Sequence, residues 1–209
     1  MSRRTIAAFD FDGTLTNGDS LLPFLAIVAG RASVLRALGA ESPRLAWAAA
    51  GRGDRDIVKE RVLTRVLAGI PYARVEAAGR EFATRLTRTA VTTNGRERIE
   101  WHQRAGHEVV IVSASLDVYL DDVARDLGVG HVLCTSLVSD ERGSCTGELR
   151  GANCRGVEKA TRLRAYIDDD DVELWAYGNS RGDDEMLALA HHPVRVRRGR
   201  MRRPAPGGA

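Results

Sequence analysis

Two aspartates one residue apart close an apolar run near the start of the chain. They are Asp10 and Asp12 in IAAFDFDGTLT, and Gly13 follows at once. Carboxylates at the end of a core strand cost several kcal/mol unless something compensates them. A metal ion, a phosphate chemistry or a plain Asp-Gly turn would each answer that requirement. Further along, Ser113 ends a second apolar run in EVVIVSAS, with Ala114 next to it. Lys159 stands in GVEKATRL, and Asn179 and Asp183 follow a third run in ELWAYGNSRGDDEML. Acids, a hydroxyl, an amide and an ammonium gathered at one rim suit Mg²⁺, which takes one or two carboxylates, several waters and a phosphate.

Strands and helices must alternate to bring those groups together. β-rich runs at 5–9, 108–112, 131–134, 172–177 and 194–196 are separated by helical patterns at 95–105, 117–127, 155–167 and 181–190. That rhythm predicts a doubly wound, Rossmann-like α/β core with a mostly parallel sheet. Ligands of such sheets bind beyond the carboxyl ends of the strands, where Asp10, Ser113 and Asn179 fall. Residues 17–93 have little strand character and read as a helical insertion. One helix there carries Val58, Val62 and Val66 at four-residue steps. Another opens on Pro71 as its first helical residue and carries Tyr72, Val75, Gly79, Phe82 and Leu86 on one stripe. Residues 137–149, a polar turn between two extended runs, read as a hairpin. The expected organisation is therefore a core of 1–16 and 94–196, a cap of 17–93 and a basic, disordered tail of 197–209.

DFDGTLT resembles the first motif of the haloacid dehalogenase-like phosphatase superfamily, and IVSAS, GVEK and GNSRGDDEML resemble its second, third and fourth, in order. The insertion between the first two is similar to that superfamily's helical C1 cap. Within it, SASLDVYL and AYGNSRGDDEML are most similar to the IB-type hydrolases, relatives of phosphoserine phosphatase and of a phosphatidylglycerophosphate phosphatase. The resemblance implies that Asp10 attacks phosphorus to form an aspartyl-phosphate. It implies that Asp12 protonates the leaving oxygen and then activates water. It also implies Mg²⁺ on Asp10, the Asp12 carbonyl and Asn179, with Ser113, Lys159 and backbone N–H groups holding the phosphoryl oxygens. Gly13 lets the backbone turn close to the phosphate. Asn179 stands where the family often carries an aspartate, so the site loses a negative charge and Asp183 is expected to share the metal.

Of 31 lysines and arginines only Lys59 and Lys159 are lysine, which marks Lys59, in the insertion, as a second candidate to reach the substrate. Ser115 reads as the cap of the next helix, Asp184 as a first-turn acid, and 168–171 as a solvated turn. The five histidines lack ligand spacing and read as surface or packing residues. Cys134, Cys145 and Cys154 form no CxxC pair and fit a reducing cytoplasm, and no stretch of the N-terminus has the form of a signal peptide. A net charge of +3 is a mild bias concentrated in the arginines after residue 194. Without interleaved aromatics it predicts no nucleic-acid partner, and at most weak contact of the tail with anionic membrane. The expected activity is Mg²⁺-dependent hydrolysis of a small organic phosphomonoester. The alternatives are a lipid phosphate of the phosphatidylglycerophosphate or lysophospholipid type, a phosphotransferase or mutase, and a non-catalytic phospholigand-binding module. Oligomeric state leaves no trace in the sequence.

Overall fold

A computed structural model describes residues 3–168, 171–197 and 201. Its centre is a five-stranded parallel sheet of β1 (Arg4–Phe9), β2 (Glu108–Leu116), β3 (His131–Thr135), β6 (Val172–Gly178) and β7 (His192–Arg195). The order is β3-β2-β1-β6-β7. The chain moves outward from β1 in one direction, then returns and moves outward in the other. The strand order therefore switches at β1, and the crevice beyond its carboxyl end is where such sheets receive ligands. Register sets what meets there. Phe9 pairs with Ile111 on one side and Tyr177 on the other, so residues 10, 112 and 178 stand at one level where β1 ends.

Helices cover both faces, which is why β1 is apolar from Ile6 to Phe9 instead of alternating. Ile6 and Ala8 pack with Val110, Leu174 and Met186 under α8 (Val157–Ile167) and α9 (Asp184–Leu189). Ala7 and Phe9 pack on the other face with Ile99 of α6 (Thr93–Arg104) and with α7 (Asp117–Asp126) nearby. A hairpin of β4 (Leu137–Ser139) and β5 (Cys145–Leu149) forms where two extended runs were expected. Residues 17–93 hold five helices: α1 (Leu21–Ala29), α2 (Arg31–Ala40), α3 (Ser42–Ala49), α4 (Arg55–Leu67) and α5 (Tyr72–Thr89). The valine stripe of α4 is buried as its spacing predicts, and so are Val75, Gly79, Phe82 and Leu86 of α5. Among the described residues no helix is long and apolar enough to cross a membrane.

Several boundaries differ from the sequence reading for local reasons. Pro71 precedes α5 as its cap, because its ψ of 126° is extended, not helical. α8 starts two residues late because Gly156 has φ 58°. Residues 181–190 divide into a 3₁₀ turn, Arg181–Asp183, and α9. The last strand lies two residues earlier than read, fixed by pairing of His192 with Trp175. Asp169, Asp170 and most of the expected tail lie outside the described residues, but Met201 is 4% exposed and its N–H donates to Asn94 Oδ1 at 3.0 Å.

The insertion docks on α7 through one close backbone approach. A Cβ on Gly79 would lie 1.8 Å from the carbonyl oxygen of Val118 and 2.7 Å from its carbon. Only hydrogen lets the two helices meet, with Phe82 edge-on to Tyr119 beside the contact at 5.4 Å. Gly79→Ala should therefore destabilise the protein by about 1–3 kcal/mol, although alanine is the better helix former. Urea unfolding reads this directly, and an unchanged midpoint would mean that α5 and α7 do not touch in this way.

Candidate active site

Beyond the ends of β1, β2 and β6 lies a cavity of about 320 Å³. Asp10, Asp12, Ser113, Ala114, Lys159, Asn179, Asp183 and Lys59 all line it. Every side chain expected at the site thus reaches one place. Gly13 is the exception, lying under Asn179 and not on the cavity wall. Its φ is 78°, and a Cβ there would fall 2.0 Å from Asn179 Nδ2. The turn after β1 needs glycine both for its dihedral angle and for the amide seated above it.

Asp10 is 6% exposed and anchored at three points. Its N–H donates to the Tyr177 carbonyl at 2.9 Å, Thr14 Oγ1 donates to its Oδ2 at 2.9 Å, and Lys159 Nζ donates to its Oδ1 at 2.6 Å. The same ammonium donates to Asp183 Oδ1 at 2.6 Å and is itself 2% exposed. Burial alone would depress the lysine, but Asp10 and Asp183 outweigh it and hold the ammonium above its ordinary range. Burial pushes the Asp10 carboxyl up, with Lys159 pulling the other way and Asp183 adding to the rise. Asp183 is also opposed by burial, yet Lys159 and the Ser180 donors keep it below the usual carboxylate range.

Both oxygens of Asp183, expected to share a metal, are engaged by protein. Oδ1 takes the lysine, while Oδ2 accepts from Asn179 N at 3.1 Å, Ser180 N at 2.8 Å and Ser180 Oγ at 2.8 Å. This is a capping box that folds the loop after β6 and leaves the Asn179 side chain facing the turn after β1. The Asn179 amide is the motif-four group left free of such ties.

Asp12 sits among hydroxyls. Its Oδ1 accepts from Ser20 N at 3.0 Å, and its Oδ2 accepts from Ser20 Oγ at 3.0 Å and Ser115 Oγ at 2.9 Å. Burial, followed by the charge of Asp19, pushes its carboxyl up to about 7. Ser115 is therefore no helix cap. β2 continues to Leu116, so Ser113 and Ser115 share a face at a two-residue step, and their hydroxyls lie 3.1 Å apart. That alternation was the available signal. Asn153 had none: it comes from the loop before α8, accepts from Lys59 Nζ at 2.6 Å and from Thr135 Oγ1 at 2.8 Å, and donates to Asp56 at 2.8 Å. Lys59 also donates to the Ala114 carbonyl, and burial lowers its ammonium to about 8. Asp19, Arg55 and Arg155 complete the charged wall, unforeseen because nothing in their spacing sets them apart from surface residues. His102 is buried under Tyr177, Nε2 to hydroxyl 2.9 Å, away from the cavity, and burial lowers it to about 3, a packing histidine as read.

The donor set fits Mg²⁺. Among the described residues no three His, Cys, Asp or Glu side chains form a group that could hold a metal ion by themselves. The rim instead offers the Asp10 carboxylate and the Asn179 amide, hard oxygens for an ion that keeps much of its water. Two buried carboxylates share one ammonium, which leaves negative charge for a cation to offset.

A parallel sheet with acids at its switch point and a helical insertion after the first strand define a Rossmann-like α/β hydrolase. The chain belongs to the haloacid dehalogenase-like hydrolase family, whose model matches residues 7–188. It is 35% identical over 188 residues to Protein CicA of Caulobacter vibrioides, covering 88% of this chain and 82% of that one. It is 30% identical over 197 residues to a probable phosphatase of Mycobacterium tuberculosis, covering 90% of this chain and 67% of the relative. A substrate-bound phosphoserine phosphatase has the same fold, with a TM-score of 0.64 at 20% identity over 91% of this chain and 84% of that one.

The raised Asp12 carboxyl carries a stability signature. In the folded, metal-free protein it holds its proton to about pH 7, whereas its ordinary value is 3.8. Between those values the native state binds more protons than the unfolded chain, so stability falls as pH rises through this window. Asp12→Asn should flatten that part of the profile. Chemical unfolding in EDTA at a series of pH values measures it, and an identical slope in both proteins would place the raised titration elsewhere.

Proposed function

We propose that the protein is a Mg²⁺-dependent phosphatase that hydrolyses a small phosphomonoester through an aspartyl-phosphate on Asp10. The observation that carries this reading is the pairing of two acids in contrasting settings at one rim. Asp10 has an ammonium on one oxygen, and Asp12, two residues on, has hydroxyl donors and a carboxyl raised to about 7. Environments that separate two carboxyls in this way assign a nucleophile and a proton donor.

An Asp10 oxygen attacks phosphorus and the bond to the leaving oxygen breaks, while Asp12 delivers its proton to that oxygen. The resulting Asp12 carboxylate takes a proton from water, whose oxygen attacks the same phosphorus and releases phosphate and the Asp10 carboxylate. Lys159 stays bonded to Asp10 and lies where it can hold a phosphoryl oxygen as charge develops. Ser113 Oγ, 1% exposed on the cavity wall, supplies a second donor once its contact with Ser115 is exchanged for the substrate. Asp183 acts at one remove, fixing Lys159 and the Asn179 loop. Asp10, the Asp12 carbonyl and Asn179 would hold the cation. When bound, Mg²⁺ offsets the repulsion between the Asp10 carboxylate and the phosphate dianion.

A cavity of about 320 Å³ admits a small ester and not a folded macromolecule, which favours a small organic phosphate. Residues 1–16 and 94–196 form the catalytic core in this reading and 17–93 the cap. The cap reaches the rim through Lys59, which bridges the Ala114 carbonyl and Asn153.

Asp10→Asn should lower turnover of p-nitrophenyl phosphate by at least about a thousandfold in a protein that still folds but is less stable, because Lys159 loses one of its two charge partners. Phosphate trapped on a residue other than Asp10 would refute the mechanism. Full activity in EDTA would refute the metal requirement. Asn179→Asp restores a charged ligand and should lower the Mg²⁺ concentration for half-maximal activity about tenfold, an effect of ~1.4 kcal/mol. An unchanged Mg²⁺ dependence would remove Asn179 from the ligand set.

A further inference from the structure

The helical insertion holds a second cavity, of about 340 Å³, and its chemistry differs from the first. Its wall is made of Leu21, Leu22, Leu38, Leu45, Val58 and Val62, drawn from α1, α2, α3 and α4. Leu22 and Leu45 are 39% and 38% exposed, large apolar side chains left open to solvent at its mouth. Among the described residues the only charged ones on this wall are Arg55 and Lys59, and these two, with Leu21, also line the catalytic cavity. The two spaces adjoin, with cations at the shared boundary and no carboxylate on the apolar side.

The direction of the chemistry links them. The leaving oxygen must lie next to Asp12, which protonates it. Asp12 is bonded to both the N–H and the hydroxyl of Ser20, and the next residue is Leu21 at the shared wall. Because Leu21 lines both cavities, the apolar groove is the neighbouring space open to an alcohol released beside Asp12. Among the described residues no carboxylate, amide or hydroxyl side chain lines the groove, and its two cations lie at the boundary with the catalytic cavity, so a polar alcohol finds no partner along the leucine and valine wall. A hydrocarbon chain would exchange water for leucine and valine.

From this continuity we infer that the substrate is the phosphate monoester of an alcohol bearing an apolar chain. The phosphate sits at Asp10, and the chain lies in the groove between α1, α3 and α4. The inference rests on the phosphatase reading above and names the substrate class for the same site. The occupant is the substrate's own alkyl or acyl tail, not a protein segment.

A homologous series of n-alkyl phosphates, ethyl to octyl and kept below micelle formation, tests it with Mg²⁺ present. In the wild-type protein kcat/KM should rise about fourfold per methylene until the groove is filled, the counterpart of ~0.8 kcal/mol per buried methylene. Leu45→Asp, which puts a charge at the mouth, should flatten the series, whereas Leu45→Met should keep its slope. Calorimetric binding of the matching n-alkylphosphonates gives a readout that needs no turnover, and their Kd should fall with length in the same way.

A flat wild-type series with turnover intact would overturn the groove and spare the phosphatase reading. Phosphonate binding that tightens with length in a protein that hydrolyses nothing would support the groove and overturn that reading. Length-independent binding together with no hydrolysis would overturn both. A flat series accompanied by concentration-dependent dimerisation in sedimentation would overturn the substrate groove in favour of a second copy of the chain.

Discussion

One ammonium between two carboxylates organises this molecule. Lys159 comes from the first turn of α8, Asp10 from the end of β1 and Asp183 from the turn before α9, and Nζ lies 2.6 Å from each acid. All three are almost wholly buried, so none has water to fall back on. Removing one partner of such a group typically costs about 3–5 kcal/mol, because the charges left behind are stranded. The triad therefore has a structural consequence. It fixes α8 against the sheet, orders the loop that presents Asn179, and holds the Asp10 carboxylate at the level set by the pairing of Phe9 with Ile111 and Tyr177. An arginine-rich chain keeps lysine here because a compact ammonium can serve two acids in a space that a planar guanidinium would overfill.

The insertion depends on the same rim for its position. Lys59 donates to the Ala114 carbonyl and to Asn153, while Asn153 donates to Asp56, three residues before Lys59 on the same helix. These bonds bridge α4 to the end of β2 and to the loop before α8. On the opposite side Gly79 seats α5 on α7, and Phe24, Phe82 and Tyr119 form one aromatic cluster between them. Within the insertion, Glu41 is a fully buried acid bonded by Arg44, Arg61 and Arg65, and the Arg65 bond leads in keeping its carboxyl below the usual range. That charge cluster ties the start of α3 to α4.

Much of this was legible in the sequence because it depends on local rules. Unbroken apolar runs ending in Asp10, Ser113 and Asn179 announced parallel strands, and the strand order then brings their carboxyl ends together. The stripes Val58–Val62–Val66 and Val75–Gly79–Phe82 gave the buried faces of two helices from periodicity alone. What escaped were groups placed by long-range docking. Asn153 lies in a loop with no periodic signal, and Asp19 and Arg55 look like ordinary surface charges until α1 and α4 bring them to one wall. Ser115 was misassigned because β2 runs four residues past the expected end, so a residue read as a helix cap is still strand and faces Asp12. The ties on Asp183 were equally hidden, because spacing shows which residues are near, not how many donors each oxygen already accepts.

The serine contacts around Asp12 show how these layers combine. Ser20 closes the entry to α1, Ser115 ends the β2 face, and Tyr119 of α7 lies 2.9 Å from Ser20 Oγ. Insertion, sheet and covering helix thus each contribute to the setting of one carboxyl. Hydrogen bonds from Ser20 and Ser115 favour the charged form of Asp12, and burial opposes them more strongly, so the proton is held near neutrality and not lost at ordinary aspartate pH. A shift of α1 away from the core would remove the Ser20 donors and admit water at the same step. Those changes act in opposite directions on the carboxyl: loss of donors favours the protonated acid, and hydration favours the carboxylate. The position of α1, set by its packing on α4 and α5, therefore governs both the proton affinity of Asp12 and the wall that Leu21 contributes to the two cavities.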